Sequence, residues 1–151
     1  MTAISQTLNP SQCAAMTKFR RANSRGRFRN IIGKITGRTN HLLDLETISK
    51  GGKIRCRSYI GTHTVPIDQI KGSEGRCQDF DQDFNPLKSH SHDRWVRIAL
   101  AWLCGVCLPA VDLIKVKDVY IVRDGHHRIS VARFMGCGYM DAHVTEWVVD
   151  A

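Results

Sequence analysis

The chain has 151 residues, 42% of them apolar and 24% charged, with 22 Lys/Arg against 14 Asp/Glu and a net charge of +8. That is enough sequence for one domain with a real core, and the balance excludes a disordered or fibrous chain. No run approaches 18 apolar residues, which argues against a membrane span, and the polar stretch Met1 to Gln12 has no apolar signal core, so a cytoplasmic protein is expected and its six scattered cysteines do not read as a disulfide scaffold.

The charge is lopsided. Residues 1–62 hold twelve Lys/Arg and two Asp/Glu, hence +10, whereas residues 63–151 hold ten and twelve, hence −2. The expected organisation is a basic amino-terminal extension over 1–62, part helix and part strand, followed by a domain over 63–151. Such asymmetry predicts a polyanion partner, DNA or RNA in the first place and an anionic membrane surface in the second.

Residues 1–17 are polar and terminal and are expected to be mobile. From Lys18 to Arg38 there are eight cations and no acid. Arg20, Arg21, Arg25, Arg27 and Arg29 are the candidates here for nucleic-acid contact. Phe28, Ile31, Ile32 and Ile35 fall at i, i+3, i+4, i+7, the spacing of an amphipathic helix with a basic opposite face. Asn40 is placed to cap a short helix carrying Leu42, Leu43, Leu45 and Ile48. Lys53 to Ile60 then alternates, with Ile54, Cys56, Ser58 and Ile60 on one side and Lys53, Arg55, Arg57 and Tyr59 on the other. This predicts a strand whose cationic face adds Lys53, Arg55 and Arg57 to the nucleic-acid candidates.

The remainder reads as a strand over 65–70, a loop with acidic residues over 72–89, a helix over 92–104, strands over 110–115 and 119–123 joined at Val116-Lys117-Asp118, a turn, a helix over 127–135 and a strand over 140–149. The order predicts an α+β or mixed α/β domain. Asp79, Asp81 and Asp83 open like a calcium loop. Position six is Phe84 rather than glycine and position twelve is His90 rather than glutamate, so a surface acidic turn is expected instead. His90, His92, Cys104 and Cys107 lack the usual zinc spacing, and Cys104 is read as a buried structural cysteine on an apolar helix.

The most informative segment is Val119-Tyr120-Ile121-Val122-Arg123-Asp124-Gly125-His126-His127-Arg128-Ile129. Four apolar residues predict a buried strand, and helical spacing resumes after the Asp-Gly turn. A helix start offers free N–H groups and partial positive charge, so it favours an anion. Gly125 permits close approach of a ligand to the backbone, and Arg128 adds a planar fork suited to phosphate oxygens. His126 and His127 are candidates to bond a phosphoryl group or move a proton. Asp124 is read either as a ligand to Mg²⁺ beside phosphate or as the helix cap.

Asp-Gly-His-His-Arg after a strand, followed by Ile-Ser-Val-Ala-Arg-Phe-Met-Gly, resembles the nucleotide-binding turn of the ParB/sulfiredoxin superfamily, and its free-serine kinases most of all. Val65-Pro66-Ile67-Asp68-Gln69-Ile70 resembles the family's first strand, and Glu74, Arg76 and Phe80 follow at about the family's spacing. The resemblance runs from about Thr64 to Trp147. It implies a ParB/sulfiredoxin-like mixed sheet with packed helices. It also implies a nucleoside di- or triphosphate at Arg76, Asp124, Gly125, His126, His127 and Arg128, Mg²⁺ at Asp124, and phosphoryl transfer or nucleotide hydrolysis with Glu74 and His126 as the catalytic pair. Sulfiredoxins carry a cysteine where His126 stands, so their sulfinic acid reduction is not expected. The alternatives within the resemblance are a non-enzymatic nucleic-acid-binding module and a ParB-like nuclease.

Overall fold

The structure is a computed structural model and describes residues 8–50 and 52–150. Helix α1 (Pro10–Thr36) leads into a short strand β1 (Leu43–Asp44), helix α2 (Leu45–Ser49) and the long strand β2 (Ile54–Pro66). A single 3₁₀ turn separates β2 from β3 (Ile70–Ser73). Helix α3 (His92–Leu103), strands β4 (Val111–Val116) and β5 (Val119–Asp124), helix α4 (His126–Phe134) and strand β6 (Tyr139–Val149) follow. The six strands make one mixed sheet in the order β1-β3-β5-β4-β6-β2. β1, β3 and β5 run parallel, as do β4 and β6, while the β4–β5 and β2–β6 pairs are antiparallel. The molecule is therefore α+β, as expected.

The apolar run Val119–Val122 fills both faces of the sheet. Tyr120 and Val122 face α4 and the loop after β3, in a cluster with Phe80, Leu113 and Ile129. Val119 and Ile121 face α2, together with Leu45, Ile114 and Trp147. That double burial is why this segment has no alternation. A third cluster, Ala15, Phe19, Ala22, Trp95, Ala99 and Val131, joins α1, α3 and α4 on the first face.

Several expectations need correction. The boundary between 62 and 63 falls inside β2, whose residues pair with β6 from Ile54 to Pro66. α1 begins at Pro10, so the part of the expected mobile stretch that lies after Asn9 is helix, while residues 1–7 lie outside the described residues. The helix is launched by Asn9, whose side chain accepts from the Ser11 N–H while the Gln12 side chain accepts from the Asn9 N–H. Its packed face is Ala15, Phe19, Ala22, Gly26 and Gly33, and the stripe Phe28, Ile31, Ile32 and Ile35 faces solvent. Small residues face inward because the loop after β3 comes very close: a Cβ on Gly26 would sit 2.9 Å from the Asn85 Cβ. The short helix starts at Leu45 after Asp44 rather than at Asn40.

The acidic triplet is not a surface turn. Asp81 is fully buried and accepts bonds from the Asp83 and Asn85 N–H groups and from the Asn85 side chain. Those bonds satisfy a charge that burial alone would make costly. Phe80 and Phe84 on either side of Asp81 are core residues. Cys104 is exposed at the end of α3 rather than buried, and Cys107 is exposed as well.

Candidate functional site: a cationic cavity at the β5–α4 turn

Strand β5 delivers the chain to the turn, and Gly125 makes the turn feasible. Its φ of 101° is left-handed, and a Cβ there would lie 2.4 Å from the Val111 side chain. Any other residue would meet both penalties. Gly125 is also the N-cap of α4, and no side chain caps the helix. Of the two readings of Asp124, the cap is thus not the one adopted. Its carboxylate instead accepts from Arg128 Nη2 at 2.7 Å. The first-turn N–H groups of α4 therefore keep their positive potential without a carboxylate cap.

The turn opens into a cavity of about 380 Å³. Asp124, Gly125, His126, His127 and Arg128 form one wall, and Arg76 reaches in from the loop after β3. Helix α3 supplies Arg94, Arg97, Ile98 and Ala101, and the segment after it supplies Val106, Cys107, Leu108 and Pro109. The cavity is thus lined by both cationic and apolar side chains. Arg94 and Arg97 have no carboxylate partner among the described residues.

Sequence reasoning did not single out these two arginines. The signal was present in the spacing 94, 97, 98, 101, one face of a helix. Trp95 and Ala99, on the other face, are fully buried. The Trp95 indole N–H donates to Ser130 Oγ at 2.9 Å, which fixes α3 over the start of α4.

Arg128 has a different part from the one expected. Its Nη1 donates to the carbonyls of Ala110 and Pro109 at 2.7 and 3.2 Å, and its Nη2 is held by Asp124. It clamps the cavity's rim rather than presenting an open fork. Arg76 is oriented by a bond from its Nε to Asp79 at 2.9 Å. Lys88 approaches the same carboxylate at 2.7 Å. Burial alone would raise the Asp79 pKa, but the bonds from Lys88 and Arg76 outweigh it and hold the carboxyl below its usual range.

The histidines sit beneath this cationic layer. His126 Nε2 lies 2.7 Å from Ser73 Oγ, which also accepts from the Arg76 N–H. The Phe80 ring stacks on His126 and meets His127 edge-on, with centroids 6.0 and 5.3 Å away. His127 Nε2 is buried with no hydrogen-bond partner among the described residues. Burial is the main cause that pushes both pKa values down to about 4, and Arg76 deepens each shift; His127 and Arg94 add to those of His126 and His127 respectively. Both rings are neutral at pH 7.

Glu74 is not brought to this cavity. It lines a second cavity of about 660 Å³ with Asp44, Glu46, Arg57, Cys77 and Trp147, and accepts from Arg123 Nε at 3.1 Å. Ser73 points to His126 and Glu74, the next residue, lies across the strand, as side chains on a strand alternate. Glu74 and His126 therefore do not form a pair.

Among the described residues no group of three or more His, Cys, Asp and Glu is placed to hold a metal. Asp124 is the carboxylate of the cationic cavity, and one of its oxygens is engaged by Arg128. A single carboxylate already engaged by an arginine is not by itself a Mg²⁺ site.

Four of the eight cations marked for nucleic acid are engaged within the fold. Arg29 pairs with Asp83, and Arg55 with Asp150 at 2.9 Å. Arg57 lies over the Trp147 ring at 4.2 Å and Arg25 over Phe134 at 5.8 Å. An irregularity in the β2–β6 register between Ile54 and Cys56 interrupts the alternation at Arg55. Arg20, Arg21, Arg27 and Lys53 are exposed without a carboxylate partner among the described residues.

No protein-family model, no curated protein and no solved structure matches this chain.

Proposed function

We propose that the β5–α4 cavity binds a nucleoside di- or triphosphate within a ParB/sulfiredoxin-like domain. The observation that carries the reading is the convergence of Arg76, Arg94, Arg97 and the uncapped start of α4 on one cavity that apolar side chains also line. Phosphate oxygens take the helix N–H groups and the arginines. A base takes the wall of Ile98, Ala101, Val106, Leu108 and Pro109, in keeping with pockets that are mainly apolar with a few convergent polar groups. Mg²⁺, when bound, would offset phosphate charge. Phosphoryl transfer or hydrolysis in this cavity would draw on the neutral imidazoles of His126 and His127 rather than on Glu74.

The test is thermal unfolding of the whole chain with ATP, ADP, CTP and GTP, each with and without Mg²⁺. A nucleotide at 100 times its dissociation constant should stabilise the fold by about 2.7 kcal/mol. No stabilisation by any of the four, at millimolar concentration, overturns the reading.

A further inference from the structure

Helix α1 is built the wrong way round for a helix that serves only the core. It buries alanines, glycines and a single phenylalanine, while Phe28, Ile31, Ile32 and Ile35 are 65%, 57%, 42% and 78% exposed. At 100° per residue these four span about a 100° stripe, centred on the side opposite the packed face. Exposing four large apolar side chains in line is costly in water, and nothing among the described residues covers them.

The charges on the helix itself are all of one sign. α1 carries seven cations and no acid. Arg20, Arg27 and Lys34 lie along one edge of the stripe, Arg25 along the other, and Arg21 precedes it in line. A second copy of α1 is thereby disfavoured as the occupant, since equal positive flanks would face each other. Nucleic acid would meet the cations but leave isoleucines against phosphate. A ridge of apolar side chains with long cations beside and before it matches the boundary layer of a bilayer. There the apolar chains enter the acyl region and Arg and Lys reach back to anionic headgroups.

We infer that the carboxy-terminal half of α1 is an interfacial anchor that lays this protein on an anionic lipid membrane. The helix lies on the surface and does not cross it; no helix among the described residues is long and apolar enough to span. The inference is independent of the nucleotide reading, because the stripe and the β5–α4 cavity share no residue.

The experiment is co-sedimentation of the full chain with vesicles of phosphatidylcholine alone and of phosphatidylcholine with 30% phosphatidylserine. The wild type should bind the anionic vesicles at least tenfold better than the neutral ones. An Ile31→Ser/Ile35→Ser variant keeps every cation and changes only exposed positions. It should keep its unfolding midpoint and lose at least tenfold in anionic-vesicle binding. Failure of the wild type to bind anionic vesicles, or equal binding by the serine variant, overturns the inference. So does tighter binding to a DNA duplex than to anionic vesicles, if the duplex affinity is unchanged by the two serines. Should the serine variant unfold, Ile31→Gln alone replaces it with the same expected direction.

Discussion

Three hydrogen bonds hold the Arg128 guanidinium to the carbonyls of Pro109 and Ala110 and to Asp124, whereas Arg94 and Arg97 face the same cavity without a carboxylate partner among the described residues. Truncation should separate the two kinds of arginine. Arg128→Ala should lower both unfolding free energy and nucleotide affinity, the former by about 1.5–3 kcal/mol, the range for bonds to a charged group. Arg94→Ala should weaken the ligand while leaving stability within about 0.5 kcal/mol, as for other surface changes. Denaturant melts paired with calorimetry read both quantities. Equal stability losses in the two variants would contradict the assignment. The histidines carry a second consequence. Their folded pKa values of about 4 lie below the ordinary 6.5, so between these limits the unfolded chain holds more protons. Stability from neutral burial is therefore complete above pH 6.5 and declines as pH falls towards 4, by on the order of 3 kcal/mol per histidine. Urea unfolding from pH 7.5 to 4.5 should show this slope, and a His126→Gln/His127→Gln variant should flatten it. A wild-type curve that is flat over the window would contradict burial of two neutral rings. The turn itself was legible in sequence because strand, glycine and cations are contiguous. Arg94 and Arg97 were not, because a cation on a helix surface looks the same in sequence whether it faces solvent or a cavity. Only the packing of Trp95 on Ser130 decides it.

At the scale of elements, β4, β5, α4 and β6 were readable because each has its own local signal: apolar runs, a turn, a helical stripe and a glycine stop at Gly136. Helix α1 was readable as a helix but not in its orientation. The spacing of Phe28, Ile31, Ile32 and Ile35 marks an apolar face, yet close approach of the loop carrying Asn85 selects the glycine and alanine face instead. The loop itself was read as surface because three acids dominate it. What buries it is the non-local placement of Phe80 and Phe84 between the sheet and α4, with Asp81 satisfied from within. This arrangement reverses the usual effect of Gly→Ala in a helix. Alanine normally gains up to about 1 kcal/mol there. At Gly26 the new methyl meets the side chains of Asn85 and Leu87 and the Pro86 carbonyl at 2.9–3.2 Å. Asn85 is tied to Asp81, and Asn23 to the Pro86 carbonyl at 2.9 Å, so neither neighbour can yield freely. Gly26→Ala should therefore destabilise, by about 1–3 kcal/mol as for overpacking. A urea melt showing a gain would mean that α1 docks more loosely than its geometry indicates.

Across the whole molecule, sequence charge and structural charge tell different stories. The +10 carried by residues 1–62 reads as one basic extension. In the folded chain that extension is dispersed: α1 packs on α3 and α4, β2 pairs along β6, and several of its cations are held by Asp83, Asp150, Phe134 and Trp147. The cations that converge on a cavity come instead from the part of the chain with net charge −2. Where charge is aimed depends on which elements the fold brings together, and net charge does not report it. In the proposed site Arg76, Arg94, Arg97 and the start of α4 together hold phosphate. Isothermal titration of the wild type and of an Arg94→Ala/Arg97→Ala variant with the nucleotide that stabilises best tests it most directly. The wild type should bind with a measurable dissociation constant, and the double variant at least about a hundredfold more weakly, since each charge-assisted bond is worth about 1.5–3 kcal/mol. Unchanged affinity in the double variant, or no binding by the wild type to any of the four nucleotides, would contradict it.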